Sequence, residues 1–156
     1  MKIKKFTGKL IAVDMYNCSA AILNNPDDTE SALKKACEDF SLQPYQIIRT
    51  NEENQSEYSL IAICKQGHVA LHLYPEVGFA TADVYSCYEN AEPAGMARFL
   101  RSYLDADKSK ITLLDRADFG SESDMKPHRR SNIKFIRRTQ NFGGKLKKMM
   151  MKPRSI

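Results

Sequence analysis

Between Tyr45 and Tyr85 the sequence passes through four short runs rich in β-branched and aromatic residues: Tyr45 to Arg49, Tyr58 to Cys64, Val69 to Tyr74 and Phe79 to Tyr85. Polar or Gly/Pro-containing turns separate them. Runs of this composition suit a pleated, half-buried surface, and turns this short suit an antiparallel meander. Whatever else the chain does, it must accommodate a sheet of neighbouring strands.

The flanking sequence supplies the second layer. Residues 9 to 16, KLIAVDMY, read as a first strand that Asn24, Asn25 and Pro26 end. Asp28 or Thr29 is expected to cap a helix running through Leu42, with Asp27, Asp28 and Glu30 at its positive end and Leu33, Ala36, Cys37 and Phe40 at core spacing. Pro93 suits the first turn of a second helix, in which Met96, Phe99, Leu100, Tyr103 and Leu104 recur at helical intervals. Ile111 to Leu114 reads as a last strand. The order β, α, several β, α, β predicts an α+β two-layer sandwich, an antiparallel sheet with both helices on one face.

Charge divides the chain more sharply than its total suggests. From Gly120 onward eleven lysines and arginines face only Glu122 and Asp124, a net of +9 in a chain whose total is +5, so residues 1–119 carry −4. We therefore expect a folded domain over 1–119 and a basic, weakly folded tail over 120–156, where Pro127, Gly143, Gly144 and Pro153 fall. Within residues 129–154, basic residues alternate with Ile133, Phe135, Ile136 and Phe142. This pattern suits a nucleic-acid arm, an anionic membrane surface, or a solvated extension that meets an acidic partner. There is no apolar run of transmembrane length, and the N-terminal apolar stretch is too short for a signal peptide. The four cysteines lack CxxC spacing, so no zinc site is indicated, and free thiols fit a reducing, cytoplasmic location.

The segment Gly67 to Cys87, GHVALHLYPEVGFATADVYSC, carries the most specific combination: small residue, His, alternating strand, aromatic-Pro-Glu, Gly-aromatic, then an acidic residue before Ser-Cys. It resembles the signature of the small prokaryotic S-adenosylmethionine (AdoMet) decarboxylases, and the order of elements along roughly residues 8 to 118 is similar. The resemblance implies a homodimer in a four-layer αββα arrangement, with the active site near the sheet edge and the dimer interface. It also implies spermidine and polyamine biosynthesis, and a pyruvoyl cofactor made when an internal serine attacks the preceding carbonyl and the chain splits. The family's Glu-Ser-His is here Gln66-Gly67-His68. Glycine has no hydroxyl, so no pyruvoyl cofactor is expected by that route.

Other matched positions keep their side chains. Ser59 and His72 correspond to the pair that assists processing, and Cys87 to the thiol that donates a proton during decarboxylation. Tyr74, Glu76 and His68 are the candidate ligand-binding positions, Tyr74 replacing a tryptophan as a platform for an adenine ring. Asn51 to Glu57 is polar where the family has an aromatic-containing loop. Each residue also has a plain reading: His72 as an ordinary strand residue, Cys87 as a small buried hydrophobe, His68 as a turn residue, Asp14 and Glu76 as surface charges, and Gly67 as the flexible position of a hairpin. The leading expectation is a pseudoenzyme that binds AdoMet or a polyamine, or regulates. The alternatives are an active AdoMet-processing enzyme and a nucleic-acid-associated protein.

Overall fold

The computed structural model describes residues 7–51 and 57–117. The predicted basic tail, and most of the polar stretch after Asn51, lie outside the described residues. Among the described residues six strands form one sheet: β1 (Gly8–Tyr16), β2 (Pro44–Asn51), β3 (Tyr58–Cys64), β4 (Gly67–Tyr74), β5 (Phe79–Ser86) and β6 (Lys108–Arg116). Their spatial order is β2-β3-β4-β5-β1-β6, with every neighbouring pair antiparallel. The meander is thus β2 to β5, and the first strand inserts between β5 and the last.

Three α-helices accompany the sheet among the described residues: α1 (Ala20–Leu23), α2 (Pro26–Asp39) and α3 (Pro93–Tyr103). The sheet's alternation explains where α2 and α3 go. On β1 the residues Ile11, Val13 and Met15 are buried, on β4 Val69, Leu71 and Leu73, and on β5 Ala80, Ala82 and Val84. They form one core with Leu33, Ala36 and Cys37 of α2 and Met96, Ala97 and Leu100 of α3. Burial of this face is the main stabilising term. Both long helices lie on this face, so the predicted α+β two-layer sandwich is the observed architecture.

Two local readings need correction. Helix α2 starts at Pro26, earlier than a cap at Asp28 or Thr29 allows, because Asn25 accepts the Asp28 N–H through its side chain at 3.3 Å and Pro26 suits the first turn. Thr29 lies inside the helix, its buried hydroxyl donating to the Asn25 carbonyl at 2.9 Å. The helix ends at Asp39 rather than Leu42, since Ser41 and Gln43 both take positive φ. At the β3–β4 hairpin the left-handed residue is Gln66, φ 58°, and not Gly67. Conformational freedom at the turn therefore does not explain the glycine.

Candidate functional site

The sheet face away from the helices carries the chemistry. Register aligns Thr50, Ser59, His72, Thr81, Asp14 and Lys110 as one row across all six strands. In the middle of that row Ser59 Oγ and His72 Nδ1 are 2.7 Å apart, a side-chain hydrogen bond between two half-buried residues on neighbouring strands. A hydroxyl paired with an imidazole is an arrangement suited to moving a proton. The plain reading of His72 as only a strand residue does not anticipate this contact.

A second group forms at the other end of β4. The Gln66 carbonyl accepts two hydrogen bonds from one residue, the Cys87 N–H at 3.0 Å and the Cys87 thiol at 3.2 Å. Two donors aimed at one carbonyl oxygen polarise its C=O bond, as they would any acyl group about to be attacked. Cys87 is half-buried, whereas Cys18, Cys37 and Cys64 are buried. It also borders a cleft of about 360 Å³ shared with Lys9, Ser86, Glu92 and Arg98. Cys87 is thus not the small core residue its plain reading supposed.

The two groups do not meet. Gly67 and His72 are five positions apart on β4, about 17 Å at the rise of a strand. Tyr74 lies further along, its ring 5.8 Å from that of Phe79, which in turn lies 5.1 Å from Tyr16. Glu76 is exposed in the 3₁₀ turn Pro75–Val77. His68 packs its ring 5.5 Å from Tyr85.

Sequence reasoning overlooked Tyr85. Its ring meets His68 on one side, and the Arg116 guanidinium lies 5.4 Å from its centroid. Burial pushes the Tyr85 phenol up, the adjacent Cys87 thiol adds to the shift and Arg116 opposes it. Period-two alternation puts Tyr85 on the same face of β5 as Asp83, but its pairing with His68 and Leu10 follows from register.

Gly67 pairs with Ser86 at the end of the β4–β5 ladder. A Cβ there would overlap the Tyr85 carbonyl oxygen and come within 2.9 Å of Ser86 Cα. Both are backbone atoms, which no side-chain rotation moves aside.

Residues 9–117 match the S-adenosylmethionine decarboxylase family over more than half of the chain. The chain belongs to this family. Among its relatives, the S-adenosylmethionine decarboxylase proenzyme of Saccharolobus solfataricus is 28% identical over 113 residues, covering 72% of this chain and 90% of the relative. The proenzyme of Methanococcus aeolicus is 25% identical over 112 residues, covering 72% and 95%. The crystal structure of the adenosylmethionine decarboxylase from Aquifex aeolicus vf5 superposes with a TM-score of 0.64 at 20% identity, over 71% of this chain and 91% of that one. At that identity the structural likeness establishes the fold. In each case the match covers about nine-tenths or more of the relative's length.

Proposed function

We propose that this chain is a decarboxylase-family protein that does not process itself and that acts as a binding or regulatory homologue in AdoMet or polyamine metabolism. Gly67 carries the reading. The pyruvoyl group that the family implies does not fit the residues present, since position 67 has neither a hydroxyl nor room for a Cβ. The surroundings retain their features: the Gln66 carbonyl still has its two donors from Cys87, and Ser59 still meets His72. A ligand would be held without a covalent link, in the cleft beside Cys87. Tyr74, Glu76 and His68 do not line that cleft, so as candidate ligand contacts they would serve a ligand elsewhere on the sheet or from a partner copy.

The same reading includes a homodimer. Among the described residues no helix covers the second sheet face, where Ile48, Ile63, Leu114 and Tyr16 are each at least 40% exposed beside Leu10, Ala12, Ile61 and Ala70. An apolar surface of this kind favours a partner, and a second sheet laid on it gives four layers. Two copies in that arrangement would bring one subunit's Ser59–His72 pair toward the other's Cys87, across a separation that a single subunit does not close.

Calorimetric titration with AdoMet, decarboxylated AdoMet, putrescine and spermidine tests the binding role, alongside CO₂ release from carboxyl-labelled AdoMet. Saturable binding without release of label supports it. Release of label contradicts it and favours the active enzyme.

The charge of the tail favours one addition, a nucleic-acid contact through residues 129–154 made mostly to phosphate. Retention of RNA or DNA at low salt that disappears on deletion of residues 121–156 supports this. Failure of the full-length chain to bind rules it out.

A further inference from the structure

We propose that the outer edge of β6 is a docking strand for an extended segment of another protein in which acidic and apolar residues alternate. The two edges of the sheet are unlike. Strand β2 carries devices that keep an edge from pairing: Pro44 at its start, a register shift between Pro44 and Gln46, and Arg49 tied to Asp27 and Glu30 of α2. Strand β6 has neither proline nor shift. Its nine residues hold an unbroken register with β1, from Gly8 opposite Arg116 to Tyr16 opposite Lys108. Its charges stand toward the two ends, and Ile111 to Leu114 between them is uncharged.

Among the described residues β6 is also open on the helix side. Register puts Ile111 beside Val13 and Leu113 beside Ile11, and both β1 side chains are buried in the core. Ile111 itself is 52% exposed and Leu113 59%, because α3 packs over β1 and β5. Between α3 and β6 runs a groove of about 380 Å³, lined by Arg98, Arg101, Ser102, Asp105, Ala106 and Ile111. A strand paired with β6 would set alternate side chains against Ile111 and Leu113 and widen the sheet by one strand.

Charge selects the partner. On the face away from the helices β6 presents Lys108, Lys110 and Arg116, and Asp14 stands beside Lys110. Asp115 is the one acid of β6, on the helix side opposite Lys9, so the strand carries three basic residues against one acid. A second copy of β6 paired antiparallel over its full length would set Lys108 against Arg116 at both ends, and like charges directly opposite are destabilising. An incoming strand with Glu or Asp on one face and Val, Ile or Leu on the other meets Lys108, Lys110 and Arg116 with opposite charge, and Ile111 and Leu113 with apolar surface. Main-chain hydrogen bonds supply the attachment, and the alternation of side chains supplies the selectivity. Arg98 and Arg101 continue the basic surface along the groove.

The test uses the full chain and a labelled peptide of alternating Glu and Val, matched in length to the nine residues of β6. A peptide of the same composition with its Glu residues in one block is the control, since it brings equal charge to any basic surface of the chain. Fluorescence anisotropy should show saturable binding of the alternating peptide, about tenfold or more tighter than the block peptide. The variant I111K/L113K should weaken binding about tenfold, although two added lysines would tighten a contact made by charge alone. Q46K, on the other edge of the sheet, should leave it unchanged. Should I111K/L113K fail to fold, I111T/L113T removes the apolar surface, keeps residues suited to a strand, and should also weaken binding. Hydrogen exchange should show amides within Lys108–Arg116 slowed when the alternating peptide is bound.

The proposal is overturned if the block peptide binds as tightly as the alternating one, or if the folded variants keep or raise the affinity. It is also overturned if every amide of β6 is as protected in the free chain as those of β1, which would mean that the edge is already filled. A dimer in sedimentation that I111K/L113K turns into a monomer would assign the edge to a second copy, and that too would overturn the acidic partner.

Discussion

Strand β4 carries both parts of the candidate site, and its two ends differ. At His72 the side chains are present and in contact, with Ser59 at 2.7 Å. At Gly67 the carbonyl next door is held by Cys87, but β5 occupies the space in which a nucleophile would stand. Family resemblance alone treats these as one site with one missing atom. The structure separates an end where two side chains meet from an end where β5 leaves no room for a Cβ.

The largest expected effect sharpens this comparison by showing what lies between the two ends. Leu71 is buried and next to half-buried His72 on the strand, but it faces the helices. Leu71→Ala should destabilise the fold by about 2–5 kcal/mol, and His72→Ala by much less, as read from urea midpoints. Comparable losses would mean that His72 is structural. Next in size is Gly67→Ala, expected to cost about 1–3 kcal/mol by the same measurement. A neutral result would reopen the closed end.

How much of this the sequence made legible follows from the range of each signal. The four β runs and the helical spacing from Met96 to Leu104 are local patterns, and they marked the corresponding elements to within a few residues. The start of α2 is less legible, because Pro26 reads as a breaker in the sequence and becomes a first-turn residue only through the Asn25 cap. Residues 67 and 87 stood out through family resemblance. The contact of Cys87 with the Gln66 carbonyl, next to Gly67, depends on pairing between strands, and nothing in the alternation of apolar and polar residues specifies a hydrogen bond to a particular carbonyl. Tyr85 was invisible for a further reason. Its importance lies partly in a backbone oxygen, which every residue possesses.

A smaller effect probes the intact end. Removing the Ser59 hydroxyl should cost about 0.5–1.5 kcal/mol, and a double-mutant cycle of Ser59→Ala with His72→Ala should show coupling of similar size. Additive losses would mean that the contact does not persist in solution. Thiol chemistry probes the closed end: in the native protein a disulfide reagent should label Cys87 far faster than Cys18, Cys37 or Cys64, and all four should react in denaturant. Uniform labelling would contradict the burial described for the other three.

The smallest effect concerns pH. Burial raises the Cys18 thiol and the Tyr58 phenol in the folded state. Both stay protonated in the folded chain at a pH where the unfolded chain has begun to ionise, roughly pH 8.5–10. The unfolded state then binds fewer protons, so stability is full below that window and falls as pH rises through it. Urea midpoints at pH 7.5 and 9.5 should therefore decline, and a rise would reverse the sign.

The central claim is that the chain stays whole. Mass spectrometry of the purified protein under denaturing conditions measures this directly, before any substitution is made. A single species near 17.8 kDa that remains after prolonged incubation is the expected result. Two fragments meeting at the Gln66–Gly67 bond would contradict the account.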